Sequence, residues 1–233
     1  MQVAIVVYPD FTALDFIGPY EVLRMVPGNE VRFVWKETGP ITADSGVLLV
    51  GATHTFDETT SPDIVLVPGG PGSSAAALDD DMLTWLRKVS PGATWTTSVC
   101  TGSLVLAAAG LLAGKRATTH WTMLPALRTY DVTPVSDQRI VHEGDIATAA
   151  GVSAGIDLAL WLVGQTDGAA KAEAVQLMIE YDPQPPFDSG HTSKASPATK
   201  ARAVALLGAD VLKPAPLKAA ARLLWNRAIA AVR

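Results

Sequence analysis

The chain has 233 residues, of which 48% are hydrophobic and 18% charged, and its formal net charge is −5 at pH 7. This composition predicts a compact globule, and the length is one that α/β folds use as a single domain. The acidic charge gives no reason to expect a nucleic-acid partner. The longest apolar stretch, residues 104–114, is shorter than the roughly 20 residues that a helix needs to cross a bilayer, so no membrane partner is expected.

Cysteine usage and the start of the chain indicate the compartment. Cys100 is the one cysteine of the chain, so it cannot form an internal disulfide. Met1 and Gln2 stand directly before an apolar strand pattern, without the basic region of a signal peptide. We therefore expect a cytoplasmic protein.

Strand and helix patterns alternate along the first 181 residues. Buried strands are expected at residues 3–7, 31–35, 64–67, 95–99 and 116–120, and small hairpins at 42–50 and 139–150. Helices are expected at residues 18–26, 79–89, 101–114, 123–130, 152–163 and 169–181. The first of them is taken to begin at Gly18 and Pro19, since proline is tolerated in a first helical turn. This order predicts a doubly wound, flavodoxin-like α/β sandwich.

The composition changes at residues 182–190, which are too rich in proline to continue a helix. Helical patterns with apolar and basic positions follow at residues 197–206 and 216–232. We therefore divide the chain into an α/β domain, 1–188, and a C-terminal helical extension, 189–233. The extension is expected to pack either on its own domain or on a second copy in a dimer.

Cys100 stands where an extended run breaks abruptly into a helix pattern. Ser98 and Gly102 are small residues on either side, as a sterically tight nucleophile elbow requires, here with cysteine in place of serine. The N–H groups at the start of the following helix favour thiolate and can lower the pKa of the thiol. The alternative is a small buried residue without a catalytic role, because unpaired cysteines are often core residues.

Seven segments of the chain resemble one family. They are ALDFIGPYEVL (13–23), WKETGP (35–40), VPGG (67–70), SVCTGSLVL (98–106), ATTHW (117–121), GVSAGID (151–157) and VQLMIEYDPQPPF (175–187). Together they resemble the isonitrile (isocyanide) hydratases, within the superfamily that joins DJ-1, PfpI-type proteases and class I amidotransferase domains. Thr101 follows the nucleophile where PfpI-type proteases commonly carry histidine, and Asp15 stands where DJ-1-like members usually have glutamate. Both differences favour the hydratase branch.

The resemblance implies a cofactor-free enzyme that converts a small isonitrile into an N-substituted formamide. Cys100 would attack the isonitrile carbon to give a thioimidate, and Asp15 would act first as acid and then as base. Thr101 would contribute its backbone N–H, with its hydroxyl holding a water or the Asp15 carboxyl, and Gly70 would supply a second N–H to developing charge. The resemblance also implies a homodimer. Without the resemblance, Asp15 would be interpreted as a solvated or helix-capping residue.

Three other groups of residues are candidates for the site. His120 matches a position near the thiol in DJ-1 relatives, and it either pairs with Cys100 or packs behind the site. The apolar residues Phe16, Ile17 and Trp121 could line a pocket but are more often core. Residues 70–75 match the glycine pattern of a dinucleotide-binding turn, but the acidic residue that should follow about 20 positions later is absent, so no nucleotide cofactor is expected. The histidines and the single cysteine lack the spacing of metal ligands, so no metal is expected either.

Two other functions compete with hydration. A cysteine-dependent protease, amidase or glyoxalase would prefer a histidine-assisted thiol, and Thr101 argues against the PfpI type of protease. A ligand or redox sensor would use Cys100 as an oxidisable thiol. The residues after Gly190 leave little space for the paired helix-turn-helix that such regulators append, and the acidic charge also disfavours DNA binding.

Overall fold

A computed structural model describes residues 1–211 of the chain, and the helix expected at 216–232 lies outside them. The strands are β1 (Gln2–Val6), β2 (Glu30–Trp35), β3 (Gly39–Thr42), β4 (Leu49–Ala52), β5 (His54–Thr55), β6 (Ile64–Val67), β7 (Trp95–Val99), β8 (Arg116–Ala117), β9 (Thr133–Pro134), β10 (Ile140–Glu143) and β11 (Ile146–Ala149). The helices are α1 (Ala13–Leu23), α2 (Ser73–Ala76), α3 (Asp80–Val89), α4 (Gly102–Ala108), α5 (Leu124–Arg128), α6 (Ala154–Asp167), α7 (Ala169–Met178) and α8 (Pro197–Val211).

The central sheet has seven strands in the order β10-β11-β7-β6-β1-β2-β5. All neighbouring strands are parallel except β10, which pairs antiparallel with β11. Helices α1, α6 and α7 pack together, while α4 packs against α2, α3 and α5. The strands β1 and β6 between these groups are almost wholly buried, as their β-branched sequences predict. The fold is the doubly wound, flavodoxin-like sandwich that the sequence predicts.

Strand order places the loops that follow β1 and β6 side by side at the carboxyl end of the sheet. The chain moves from β1 outward to β5 and then returns to β6 on the other side of β1, so the winding direction reverses between β1 and β6. The carboxyl ends of strands at such a switch point form a crevice in which doubly wound proteins bind ligands. Tyr8, after β1, donates its hydroxyl to the carbonyl oxygen of Pro68, after β6, at 2.7 Å and ties the two loops together.

Most of the expected elements are confirmed, but several end elsewhere: the strand expected at 116–120 is only β8 (Arg116–Ala117), and the helix expected at 169–181 ends at Met178. Helix α1 begins at Ala13, so Pro19 lies inside it rather than in its first turn. Pro19 is accommodated because it packs against Gly155 of α6, where a methyl group would lie 3.0 Å from its ring. Helix α4 ends at Ala108 instead of Gly114, because Gly110 takes a left-handed conformation with φ of 81°.

The C-terminal extension contributes helix α8, which begins at Pro197 as expected and reaches Val211. The loop before it contacts the α/β domain, since His191 Nε2 lies 3.2 Å from the carbonyl oxygen of Ser136. No helix within residues 1–211 is long and apolar enough to span a membrane.

Candidate active site

Cys100 lies at a sharp turn between β7 and α4. Its φ of 56° is unusual for a residue with a side chain, and its N–H is held by the carbonyl oxygens of Ala149 at 3.2 Å and Ala150 at 3.0 Å. Its own carbonyl oxygen accepts the Thr119 hydroxyl at 2.9 Å. Gly102 permits the turn, because a methyl group there would lie 2.1 Å from the carbonyl oxygen of Val67. These contacts hold Cys100 in a sharp, closely packed turn between strand and helix.

Helix α1 brings the Asp15 carboxyl beside the Cys100 thiol, where the two side chains interact directly. Asp15 is fully buried, and its Oδ2 accepts the N–H of Gly69 at 2.8 Å. Its Oδ1 is buried without a hydrogen-bond partner among the described residues. The structure therefore brings together the two residues to which the sequence assigned the chemistry, and it leaves one carboxyl oxygen without a competing contact.

Burial controls the protonation of this pair. It raises the pKa of Asp15 from 3.8 to about 7, although the Gly69 N–H and the Cys100 side chain lower it. Burial and then the charge on Asp15 raise the pKa of Cys100 above its ordinary value. The expectation of a lowered thiol pKa is thus wrong for the resting protein, because desolvation outweighs the nearby N–H groups. Near neutral pH the thiol therefore keeps its proton, while the Asp15 carboxyl passes between its charged and neutral forms.

Two backbone N–H groups face the thiol and oppose this rise in its pKa. They belong to Thr101 and Val152. Val152 adopts a φ of 41°, a strained conformation for a β-branched residue. The sequence analysis did not identify Val152 as a site residue, although it lies within the GVSAGID segment, because nothing in a valine signals that its N–H points at a thiol.

Thr101 and Gly70 lie at the site but contact each other. The Gly70 N–H donates to the Thr101 hydroxyl at 2.9 Å, and that hydroxyl lies 3.3 Å from the Gly70 carbonyl oxygen. The hydroxyl therefore holds the Gly70 loop rather than the Asp15 carboxyl. A role for the Gly70 N–H in charge stabilisation stays a prediction that requires this contact to open.

His120 lines the same pocket as Cys100. Within the described residues its ring contacts Thr122, whose hydroxyl is 2.8 Å from Nδ1 and whose N–H donates to Nδ1 at 3.5 Å. Burial lowers the pKa of His120, and the imidazole is not among the groups that shift the pKa of Cys100. The structure therefore favours a pocket-wall position over a Cys-His pair.

A pocket of about 230 Å³ opens above the thiol. Residues that the sequence analysis did not select supply much of its wall, including Thr12, Asp44, Met123, Val152 and Leu207. Phe16, by contrast, is a core residue whose ring packs against Phe11 and Phe33. Within residues 1–211, no three His, Cys, Asp or Glu side chains are placed to hold a metal ion.

Gly69→Ala is expected to destabilise the fold by about 1–3 kcal/mol, the usual cost of overpacking. The added methyl group would lie 2.5 Å from the Thr101 nitrogen and 2.8 Å from Asp15 Oδ2, so the backbone must move. Urea denaturation measures the free energy of unfolding. Gly51→Ala is the matched control, because its methyl group meets open space. Equal stabilities of the two variants would contradict the tight contact at Gly69.

The fold and the site define a flavodoxin-like α/β protein with a buried cysteine–carboxyl pair beside its switch point. Residues 1–165 match the model of the DJ-1/PfpI family. The chain belongs to this family.

Individual relatives agree with this assignment. An isonitrile hydratase of Pseudomonas putida is 44% identical over 198 residues, which are 85% of this chain and 86% of that protein. The transcriptional regulator CdhR of Pseudomonas aeruginosa is 31% identical over 72% of this chain, which spans only 51% of the regulator. A THiJ/PfpI family protein from Pseudomonas syringae superposes with a TM-score of 0.86 at 36% identity, covering 94% of this chain and 89% of that structure.

Proposed function

We propose that the protein is an isonitrile hydratase, which converts isonitriles to N-substituted formamides. The observation that carries the proposal is the buried pair of Cys100 and Asp15, in which a carboxyl with a pKa of about 7 lies beside the only thiol of the chain. The 44% identity to an isonitrile hydratase supports the same activity. The pocket of about 230 Å³ is smaller than the roughly 300–1,000 Å³ of sites for drug-sized ligands, which suits a small substrate.

The first half of the reaction joins the thiol to the isonitrile carbon. Asp15 takes the thiol proton, the thiolate sulfur bonds to the terminal carbon, and the carbon receives that proton from Asp15. The product is a thioimidate, in which carbon is bonded to sulfur and hydrogen and doubly bonded to nitrogen. Oδ1 of Asp15 suits this transfer, because no described residue competes for it.

The second half adds water to the thioimidate and releases the formamide. The tetrahedral adduct collapses as its hydroxyl oxygen forms the carbonyl group and the carbon–sulfur bond breaks. Asp15, now ionised, acts as the base that accepts the hydroxyl proton and returns it to the leaving sulfur. No electrons are exchanged with another molecule, so this sequence of steps needs no redox partner or cofactor.

The proposal is tested by incubating the purified protein with cyclohexyl isonitrile and following the absorbance of the formamide. We expect catalytic turnover, with many equivalents of formamide formed per chain. The absence of turnover, while Cys100 is still alkylated by iodoacetamide, would overturn the hydratase assignment. Conversion of methylglyoxal in place of isonitriles would favour another cysteine-dependent reaction.

We also propose that the protein forms a homodimer and acts in the cytoplasm. Exposed apolar side chains at the end of α7 and in the following loop support a dimer, since Leu177, Met178 and Phe187 are 77%, 66% and 80% exposed. The single free cysteine is compatible with a reducing compartment. A monomer mass by light scattering at micromolar concentration would contradict the dimer.

The described part of the C-terminal extension, residues 189–211 of 189–233, is proposed to pack on the 1–188 domain and to help shape the substrate pocket. Leu207 of α8 lines the pocket that contains Cys100. Leu207→Ala is expected to raise kcat/KM for cyclohexyl isonitrile relative to methyl isonitrile by about 10-fold, the effect of a small change in an apolar pocket. Leu206→Ala is the control, because Leu206 is 77% exposed. Unchanged selectivity in Leu207→Ala would contradict this role.

A further inference from the structure

The wall of the Cys100 pocket includes a second carboxyl group, that of Asp44. Asp44 follows β3 in the β3–β4 hairpin, and its N–H donates to the carbonyl oxygen of Phe11 at 3.0 Å. Its Oδ2 accepts the hydroxyl of Thr12 at 2.7 Å. Two loops that are distant in sequence thus hold a half-buried carboxyl at the pocket surface.

Asp15 and Asp44 differ in their access to the pocket. Asp15 is 0% exposed and does not line the cavity, whereas Asp44 does. The pocket of about 230 Å³ has room for a small covalent adduct and for water beside Asp44.

His120 is the other group in the pocket that could accept a proton near neutral pH. Its Nδ1, however, is engaged by Thr122, whose hydroxyl lies 2.8 Å and whose N–H lies 3.5 Å from it. In the tautomer that accepts the Thr122 N–H, Nε2 carries the proton and is not a base. Asp44 supplies a carboxylate in the same pocket wall.

We propose that Asp44 is the catalytic base that activates water for attack on the thioimidate. This inference rests on the proposed hydratase function and deepens it. Asp44 accepts a proton from water as the water oxygen bonds to carbon, and the electron pair of the carbon–nitrogen double bond moves to nitrogen. The nitrogen then takes the proton from Asp44, which leaves the neutral tetrahedral adduct that Asp15 helps to collapse. The two carboxyls thus serve different halves of the reaction.

The test is an acid quench of the reaction with cyclohexyl isonitrile, followed by intact-protein mass spectrometry. Asp44→Asn keeps the size of the side chain and an acceptor for Thr12 but removes the base. We expect a rapid gain of one isonitrile mass per chain and steady turnover lowered by about 100-fold. Asp10→Asn, a charge-removing change in a neighbouring loop outside this pocket, is the matched control and should behave as the wild type.

A second variant separates loss of a base from a disturbed fold. Asp44→Ala should also accumulate the adduct, and added formate should restore part of its turnover by supplying a carboxylate in the pocket. Full turnover in Asp44→Asn, or loss of turnover without adduct in either variant, would overturn the role of Asp44.

Adduct accumulation in His120→Gln but not in Asp44→Asn would assign the base to His120 instead. Wild-type protein without turnover would instead reject the hydratase function itself.

Discussion

Cys100→Ala is expected to lower isonitrile turnover by more than about 10⁴-fold, the largest effect of any single substitution in the chain. The thiol forms the covalent bond to carbon, and the described pocket offers no second thiol, since Cys100 is the only cysteine. Formamide absorbance measures the loss. In the wild type, the adduct trapped by acid should map to the peptide that contains Cys100.

Cys100→Ser is the matched variant, because a hydroxyl preserves the size and the hydrogen-bonding capacity of the side chain. We expect it to be nearly as inactive as Cys100→Ala, since a serine hydroxyl is a far poorer nucleophile without a strong base. Activity in Cys100→Ser close to that of the wild type would show that the side chain only orients water. Retained turnover in Cys100→Ala would remove covalent catalysis from the mechanism.

Local patterns were sufficient to predict the sheet and the turn that carries Cys100. The runs in β1 and β6 are apolar on both faces, and the small residues around Cys100 occur within five positions of it. The cap of α3 is equally local, because Asp79 Oδ1 accepts the N–H of Met82, three positions along the chain, at 3.1 Å. Each of these features depends on residues that are close together in the chain.

Features that depend on distant residues were not predictable. Asp44 and Leu207 reach the pocket from a hairpin and from the last described helix, and neither carries a recognisable motif. The raised pKa of Cys100 has the same origin, because the burial that raises it comes from the assembled fold. Gly70 and Thr101 are 31 positions apart, and their contact occupies the Gly70 N–H that the resemblance assigns to developing charge.

Asp15→Asn is expected to lower kcat by about 100- to 10,000-fold, the range for loss of a general acid or base. The amide can still accept the Gly69 N–H but cannot exchange a proton with sulfur or carbon. Wild-type kcat/KM should fall as the pH drops below about 7, because a second proton then enters the pair. This decrease should be absent from the dependence of kcat/KM on pH in Asp15→Asn. Glu21→Gln, an exposed change on the same helix, should keep it.

The same substitution is expected to stabilise the fold at neutral pH. The pKa of Asp15 is about 7 in the folded chain, against 3.8 for an exposed carboxyl such as that of the unfolded chain. Between pH 3.8 and 7 the folded state therefore holds a proton that the unfolded state has lost. Wild-type stability therefore decreases as the pH rises through this interval, by at most about 4 kcal/mol. Urea denaturation should show Asp15→Asn and the wild type nearly equal near pH 3.5 and the variant more stable at pH 8.

A stability difference that is constant between pH 3.5 and 8 would contradict this account, since it would mean that Asp15 does not titrate there. It would also remove the reason for Asp15 to act as an acid near neutral pH. A gain in stability together with a loss of turnover would show why the chain keeps a buried carboxyl that weakens its fold. Thioimidate formation requires a group that can hold a proton at neutral pH and release it to carbon, and burial beside Cys100 gives Asp15 that property.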